Sequence, residues 1–255
     1  MTDWGLPIVA GLFGAIVGSF LNVCIYRLPR GASVVRPPSA CPGCGRALAW
    51  FDNIPVLSYM VLGGRCRSCR EPISVRYPIV EALTALMFAG AWWLWGPSLL
   101  LAARLIFGCA LIVLFAIDLE HQLLPNAITL PGIVVGFVFS FFTELGWLAS
   151  LIGILVGGGI LYATAEAYYR IRGEEGLGMG DVKMLAMVGA FLGWQLAFMT
   201  LMLASLAGSV IGGVMILFQR GGMKTALPFG TFLAVGAALA ATVGLPLLDW
   251  YLHLW

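Results

Sequence analysis

Residues 98–118 read SLLLAARLIFGCALIVLFAID. Its first 20 residues hold a single charge, Arg104, and then a carboxylate, Asp118, ends the run. About 20 apolar residues at ~1.5 Å each match the ~30 Å hydrocarbon core of a bilayer. A helix on the surface of a soluble domain would instead alternate an apolar stripe with a polar face. The rest of the chain agrees. Of 255 residues, 61% are hydrophobic and 10% charged, and the mean hydropathy is +0.98. Soluble domains carry roughly 45–50% apolar and about 25% charged residues. A chain of this size has too little interior to hide such an excess from water. Soluble globular and disordered states are both excluded. The net charge of +2 is too small to imply a nucleic-acid partner, and none is expected.

Similar apolar runs occupy roughly 5–26, 79–95, 98–117, 127–143, 147–169, 183–195, 196–218 and 229–250. The fold class is therefore an all-α polytopic membrane protein of about eight transmembrane helices. The stretch 183–218 is too long for one span, and Gly193-Trp194-Gln195 is its natural break. The first run is not a cleaved signal peptide, because its front end carries Asp3 and no basic residue. The expected division is a first transmembrane helix over 1–27, a small soluble domain over 28–78 and a helical bundle over 79–255. Small residues at Gly157-Gly158-Gly159 and Gly212-Gly213 are expected at helix contacts.

Lys and Arg gather on the cytosolic side of membrane proteins. With eight spans, thirteen of the 14 fall on one side. They are Arg27, Arg30, Arg36, Arg46, Arg65, Arg67, Arg70, Arg76, Arg170, Arg172, Lys183, Arg220 and Lys224. The other side holds Asp3, Glu144 and Asp249. Both termini are thus expected outside, with 28–78 and 170–182 in the cytosol.

Within 28–78, Cys41-Pro-Gly-Cys44 and Cys66-Arg-Ser-Cys69 stand 21 residues apart. Each CxxC is a knuckle that points two thiolates at one place, and two knuckles supply the tetrahedral sulfur set preferred by Zn²⁺. A domain of about 50 residues needs such a staple. The four-sulfur set leaves no open position, so zinc here would fold the domain rather than catalyse. The alternative is a pair of disulfides or redox sites, which a cytosolic location disfavours. Cys24 and Cys109 lie inside spans and read as small apolar residues.

Ionisable groups at membrane depth are costly and are functional suspects. Asp118 ends the third span and is followed by LEHQLLPN. Asp181 opens the sixth within GLGMGDVK, residues 176–183. Both map to the cytosolic boundary, and each is followed by a helix running outward. Two carboxylates that share a site cannot both ionise easily. The ionised one takes a proton from water while the protonated one polarises a carbonyl, which is aspartic proteolysis without a metal. Gly178 and Gly180, lacking side chains, would let a substrate strand approach. Lys183 would anchor its helix or tune the pair. Asp118 has bland readings as well, as a cap of the next helix or a partner of Lys183. Glu81 and Arg104 are expected to pair structurally, Glu120 and His121 to be solvated, and Glu166 has no evident partner.

Together these residues resemble the bacterial type IV prepilin peptidases, the bifunctional leader peptidase/N-methyltransferases that belong to the GxGD-type aspartic proteases. The resemblance rests on residues 18–29 (GSFLNVCIYRLP), the first knuckle, 52–59 (DNIPVLSY), 64–69 (GRCRSC), 73–81 (ISVRYPIVE), the two aspartate motifs and 227–230 (LPFG). It implies that Asp118 and Asp181 are the catalytic pair. The implied substrate is a prepilin or pseudopilin precursor whose short basic leader is cut at the cytosolic face of the bacterial inner membrane, in pilus or type II secretion systems. The new N-terminus would then be methylated from S-adenosylmethionine. One departure is Thr231, where the family has Pro, and little consequence is expected of it.

No glycine-rich loop announces a soluble methyltransferase, so the methyl-donor site must come from the loop domain and membrane helices. Asp52 and Glu71, the loop's acidic residues, and Glu81 at its edge are candidates for it. Two rivals use the same carboxylates. A proton- or ion-coupled transporter would employ them as relays, but transport sites lie nearer the midplane. A presenilin-like protease would cut inside a substrate's span, which the interfacial depth and the cysteine domain disfavour.

Overall fold

A computed structural model describes residues 5–174, 176–218 and 227–253. Asp3, Arg220 and Lys224, used above for orientation, lie outside the described residues. The helices are α1 (Gly5–Arg27), α2 (Leu57–Val61), α3 (Arg76–Trp95), α4 (Leu99–His121), α5 (Asn126–Ser140), α6 (Trp147–Arg172), α7 (Met179–Leu217) and α8 (Phe229–Leu252). Among the described residues no extended strand forms, and only two isolated antiparallel bridges occur, both in the loop domain.

Six helices are long and apolar enough to cross a bilayer, namely α1, α3, α4, α6, α7 and α8. α5 is apolar but only 15 residues long. α7 has 39 residues, which at ~1.5 Å each would run about 58 Å, nearly twice the bilayer core. It does not run straight. Gly193 has φ 81 and ψ 173, a conformation that glycine adopts at no steric cost. The helix is therefore two apolar segments, 179–192 and 194–217, parted where the sequence expects the break. With α5 and the two halves of α7 counted separately, the eight apolar segments are all helical.

The chain forms two compact units, Met1–Leu105 and Ile106–Trp255. In the first, α1 lies along α3. A Cβ on Gly14 would stand 2.8 Å from the Thr84 carbonyl oxygen, and one on Gly18 2.7 Å from Glu81 Cα. The two backbones approach closely because these positions are bare. Asn22, 1% exposed, donates through Nδ2 to the Tyr77 carbonyl at 3.0 Å. Glu81 and Arg104 do not pair. Glu81 sits near the start of α3, whereas the Arg104 guanidinium lies by Trp95 at that helix's other end, 5.8 Å from the ring centroid. Arg104 Nη1 is buried without a hydrogen bond among the described residues.

In the second unit the first half of α7 is the hub. Its residues Val182 and Met184–Ala190 are buried, because α5, α6 and α8 all pack on α7 and Phe107, Leu111 and Leu114 of α4 join the same core. An all-apolar helix suits such enclosure as well as it suits lipid. α6 meets α7 backbone to backbone at Gly153 and Gly189, and Ser150 Oγ donates to the Ala190 carbonyl at 2.8 Å. Of the glycine run, Gly157 and Gly158 pack as expected, while Gly159 meets nothing within 4 Å. Gly212 touches Leu227, and Gly213 faces open space.

These contacts separate two glycines on α6 and α7. Gly189→Leu would drive its side chain into the Gly153 carbonyl, and overpacking of this kind costs about 1–3 kcal/mol or more. Its thermal midpoint in detergent is expected to fall clearly, whereas Gly159→Leu should stay within about 0.5 kcal/mol of wild type. Tryptophan-fluorescence melts of both variants check this.

Candidate active site and metal centre

Asp118 stands one turn before the end of α4 and is 4% exposed. A carboxylate buried to this extent must find donors. It finds them 113 residues away, in the first turn of α8. Oδ2 accepts the Thr231 backbone N–H at 2.6 Å and the Thr231 hydroxyl at 3.0 Å. The Thr231 amide is shared with the Pro228 carbonyl at 3.2 Å, and the helix dipole favours an anion at this end. Asp118 does cap a helix, but that helix is α8 and not the one following it. The approach requires Gly230, whose added Cβ would lie 3.0 Å from Asp118 Cγ.

Asp181 occupies the first turn of α7. Gly178, the residue before that helix, has extended backbone (φ −72, ψ 137), and its amide points back at the Asp181 carboxylate. This is half of a capping box, in which the third helical residue reaches back to the N-cap amide. A Cβ on Gly178 would come within 3.4 Å of Asp181 Oδ2. The two carboxylates lie within coulombic reach of each other. Beside them Leu124, from the turn after α4, packs between Gly180 and Gly230. Its side chain fills the bare faces of both Gly180 and Gly230, with an added Cβ on either 2.9 Å from a Leu124 carbon. Gly180 is thus bare for a neighbour within the chain. Lys183 pairs with neither carboxylate. It donates to Asn126 Oδ1 at 2.9 Å and ties the start of α7 to the start of α5.

Thr231, Gly230 and Leu124 join the site without having been singled out as functional in the sequence. The signal for Thr231 was its departure from the family pattern. Its consequence is two hydrogen bonds, neither of which a proline can make, since it has no N–H and no hydroxyl.

In the first unit the four cysteine sulfurs of Cys41, Cys44, Cys66 and Cys69 all lie within 4.8 Å of one another, as free thiols rather than disulfides. Cys41 Sγ and Cys69 Sγ are 3.7 Å apart. Zn–S bonds of about 2.3 Å in a tetrahedron put sulfurs about 3.8 Å apart, so the donor set fits that ion. The two knuckles are copies of one turn. Cys41 N–H donates to Arg46 and Gly45 N–H to Cys41, while Cys66 N–H donates to Glu71 and Arg70 N–H to Cys66, all at 2.9–3.0 Å. Gly45 (φ 68) and Arg70 (φ 62) share the left-handed position that closes each turn. The amide of Cys69, then that of Ser68, pull the Cys66 thiol down to about 6, while Cys69 in the same cluster is pushed up, so the thiolate character concentrates on Cys66.

The other acidic candidates brace this domain. Asp52 takes the Arg67 guanidinium, with Nε and Nη2 at 2.9 and 2.8 Å from Oδ1. The Glu71 side chain lies over bare Gly43 in the first knuckle. Glu81 Oε2 accepts the Val56 N–H at 2.8 Å, and Ser19 also hydrogen-bonds its carboxylate. Val56 holds φ 60, which strains a β-branched residue, next to that bond. A cavity of about 370 Å³ opens beside α1, with Ser19, Phe20, Arg27 and Asn53 in its wall. In the second unit, Glu166 has a partner after all in Arg170, at 2.7 Å one helical turn on.

Comparison with known proteins agrees with this division. The bacterial peptidase A24 N-terminal domain matches residues 12–95, and the type IV leader peptidase family matches residues 105–213. The prepilin leader peptidase/N-methyltransferase of Pseudomonas aeruginosa is 36% identical over 91% of this chain and 89% of its own length. Proteins of the same name from Burkholderia pseudomallei (38%, 92% of this chain and 84% of theirs) and Aeromonas hydrophila (37%, 94% and 92%) are comparably similar. No solved structure matches. With relatives this similar over nearly their full length, the chain belongs to the type IV leader peptidase family.

Proposed function

We propose that this protein removes the leader of type IV prepilin-like precursors at the cytosolic membrane face and then methylates the exposed N-terminal amine. The observation that carries the first half is the pair of carboxylates, Asp118 and Asp181, within coulombic reach of each other at helix ends inside a family of leader peptidases. In this reading a water molecule lies between them. The ionised carboxylate takes its proton as the water oxygen attacks the scissile carbonyl, and the protonated one donates to the carbonyl oxygen. Collapse of the intermediate breaks the C–N bond, and the leaving amine takes up a proton. Gly178, Gly180 and Lys183 support the site by shaping the start of α7. A relay transporter built on the same carboxylates gains no support from the relatives, which share one enzyme name.

The substrate enters from the lipid, since the precursor carries its own apolar helix. The basic residues favour an inner-membrane topology with both termini outside and 28–78 in the cytosol. We assign zinc to Cys41, Cys44, Cys66 and Cys69, where it would cross-link the two knuckles and hold the domain folded. S-adenosylmethionine supplies the methyl group when bound. Glu81, together with Asp52 and Glu71, is the carboxylate set assigned to the methyl-transfer side, and Glu81 would face the ammonium of the new N-terminus.

Cleavage tests the first half. With purified enzyme and a full-length prepilin, Asp118→Asn and Asp181→Asn should each lose leader removal by at least about a thousandfold while keeping the wild-type melting profile. Substantial cleavage by either would sink the pair. Replacing the four cysteines by Ser should release about one zinc per chain by elemental analysis and reduce methylation more than cleavage. Glu81→Gln should spare cleavage yet weaken both methylation and S-adenosylmethionine retention in equilibrium dialysis. Equal loss of cleavage would return Glu81 to a purely structural role.

A further inference from the structure

We propose that Thr231 is a positioning residue that holds Asp118 as the ionised, proton-accepting member of the pair, leaving the shared proton on Asp181. The inference rests on the two-aspartate reading above and goes beyond it by assigning the roles within the pair.

The geometry is asymmetric. Both Thr231 donors aim at one oxygen of Asp118, Oδ2. A protonated Oδ2 would leave two donors facing a third hydrogen, so the bonds favour the anion there. Oδ1 makes no hydrogen bond among the described residues and is free to accept from water. Thr231 is itself buried, at 7% exposure, and sits in the first turn of α8, where the helix dipole adds to the same preference. Among the described residues Asp181 receives a single donor, the backbone amide of Gly178. Two negative charges that feel each other repel, so the proton goes to the carboxylate with fewer donors.

The other charged groups near Asp118 do not reverse this. From α7 it faces Asp181, while Lys183 of that helix is engaged with Asn126 of α5. On its own helix Glu120 and His121 lie 3.9 Å from each other and are half-exposed. The first turns of α5 and α8 bring no titratable side chain.

The sign of the test follows. Donors to the carboxylate stabilise its charged form, so removing one makes Asp118 harder to ionise. The acid limb of the cleavage profile then moves to higher pH. Thr231→Val deletes the hydroxyl and keeps shape and amide. Thr231→Pro deletes both donors at a first-turn position that tolerates proline.

The experiment is the pH dependence of kcat for prepilin cleavage by the full-length enzyme in detergent. Thr231→Val is expected to shift the acid limb up by about one to two pH units, the size of one lost bond to a charged group. Thr231→Pro should shift it at least as far, and Thr231→Ser should keep it at the wild-type position. KM should change little in all three. The inference is overturned if folded Thr231→Val, or Thr231→Ala should Val fail to fold, loses rate equally at every pH with an unmoved acid limb. It is equally overturned if Thr231→Ser shifts as far as Thr231→Val. If Asp118→Asn still cleaves, the two-aspartate reading itself fails. If Asp118→Asn is inactive and the Thr231 profiles do not move, only the role assigned to Thr231 fails.

Discussion

A carboxylate buried at the end of a membrane helix loses most of its hydration, and the contact between Asp118 and the first turn of α8 answers that constraint. The amide and hydroxyl of Thr231 take the place of lost hydration at Oδ2. Much of the second unit is arranged around this contact. Gly230 is bare so that α8 can come close enough. Leu124 plugs the space between Gly180 and Gly230, so the starts of α7 and α8 are packed against one side chain from the turn after α4. Lys183 and Asn126 fasten α7 to α5 nearby. The first half of α7, enclosed on all sides, supplies the rigid base from which Asp181 projects.

The first unit solves a different problem. A loop of about fifty residues has little core of its own. It is held by two copies of one cysteine turn, by the Arg67–Asp52 fork and by Arg27, whose guanidinium donates to the carbonyls of Ser33 and Pro37 at 2.9 and 2.7 Å. Glu81 links this loop to α3 through Val56. A carboxylate that is both buried in a membrane helix and bonded to the loop is well sited to couple loop folding to whatever binds there.

Much of this was legible in the sequence, for physical reasons. Lipid demands long apolar helices, so the spans stand out, and Gly193 marks the break in α7 because few other residues adopt its conformation. Four cysteines in two knuckles declare themselves by spacing, and two carboxylates at span ends declare themselves by their cost. What was hidden depends on tertiary contact. Nothing local links Asp118 to Thr231 across 113 residues, and a threonine where proline was expected looked harmless. The pairing of Gly153 with Gly189 requires the α6–α7 crossing to be known. The repeat in the knuckles was masked because Gly45 in one is matched by Arg70 in the other, at the same positive φ. Glu81 and Arg104 were expected together as opposite charges, but they sit toward opposite ends of α3.

The most direct test of the central claim is proximity. Cysteines introduced at 118 and 181, with Cys24 and Cys109 replaced by Ala, can be treated with a short bis-alkylating reagent in native membranes and digested for mass spectrometry. A cross-linked peptide joining positions 118 and 181 is the expected result. Recovery of both positions singly alkylated, with no joined peptide under conditions that link the knuckle cysteines, would contradict a shared two-carboxylate site.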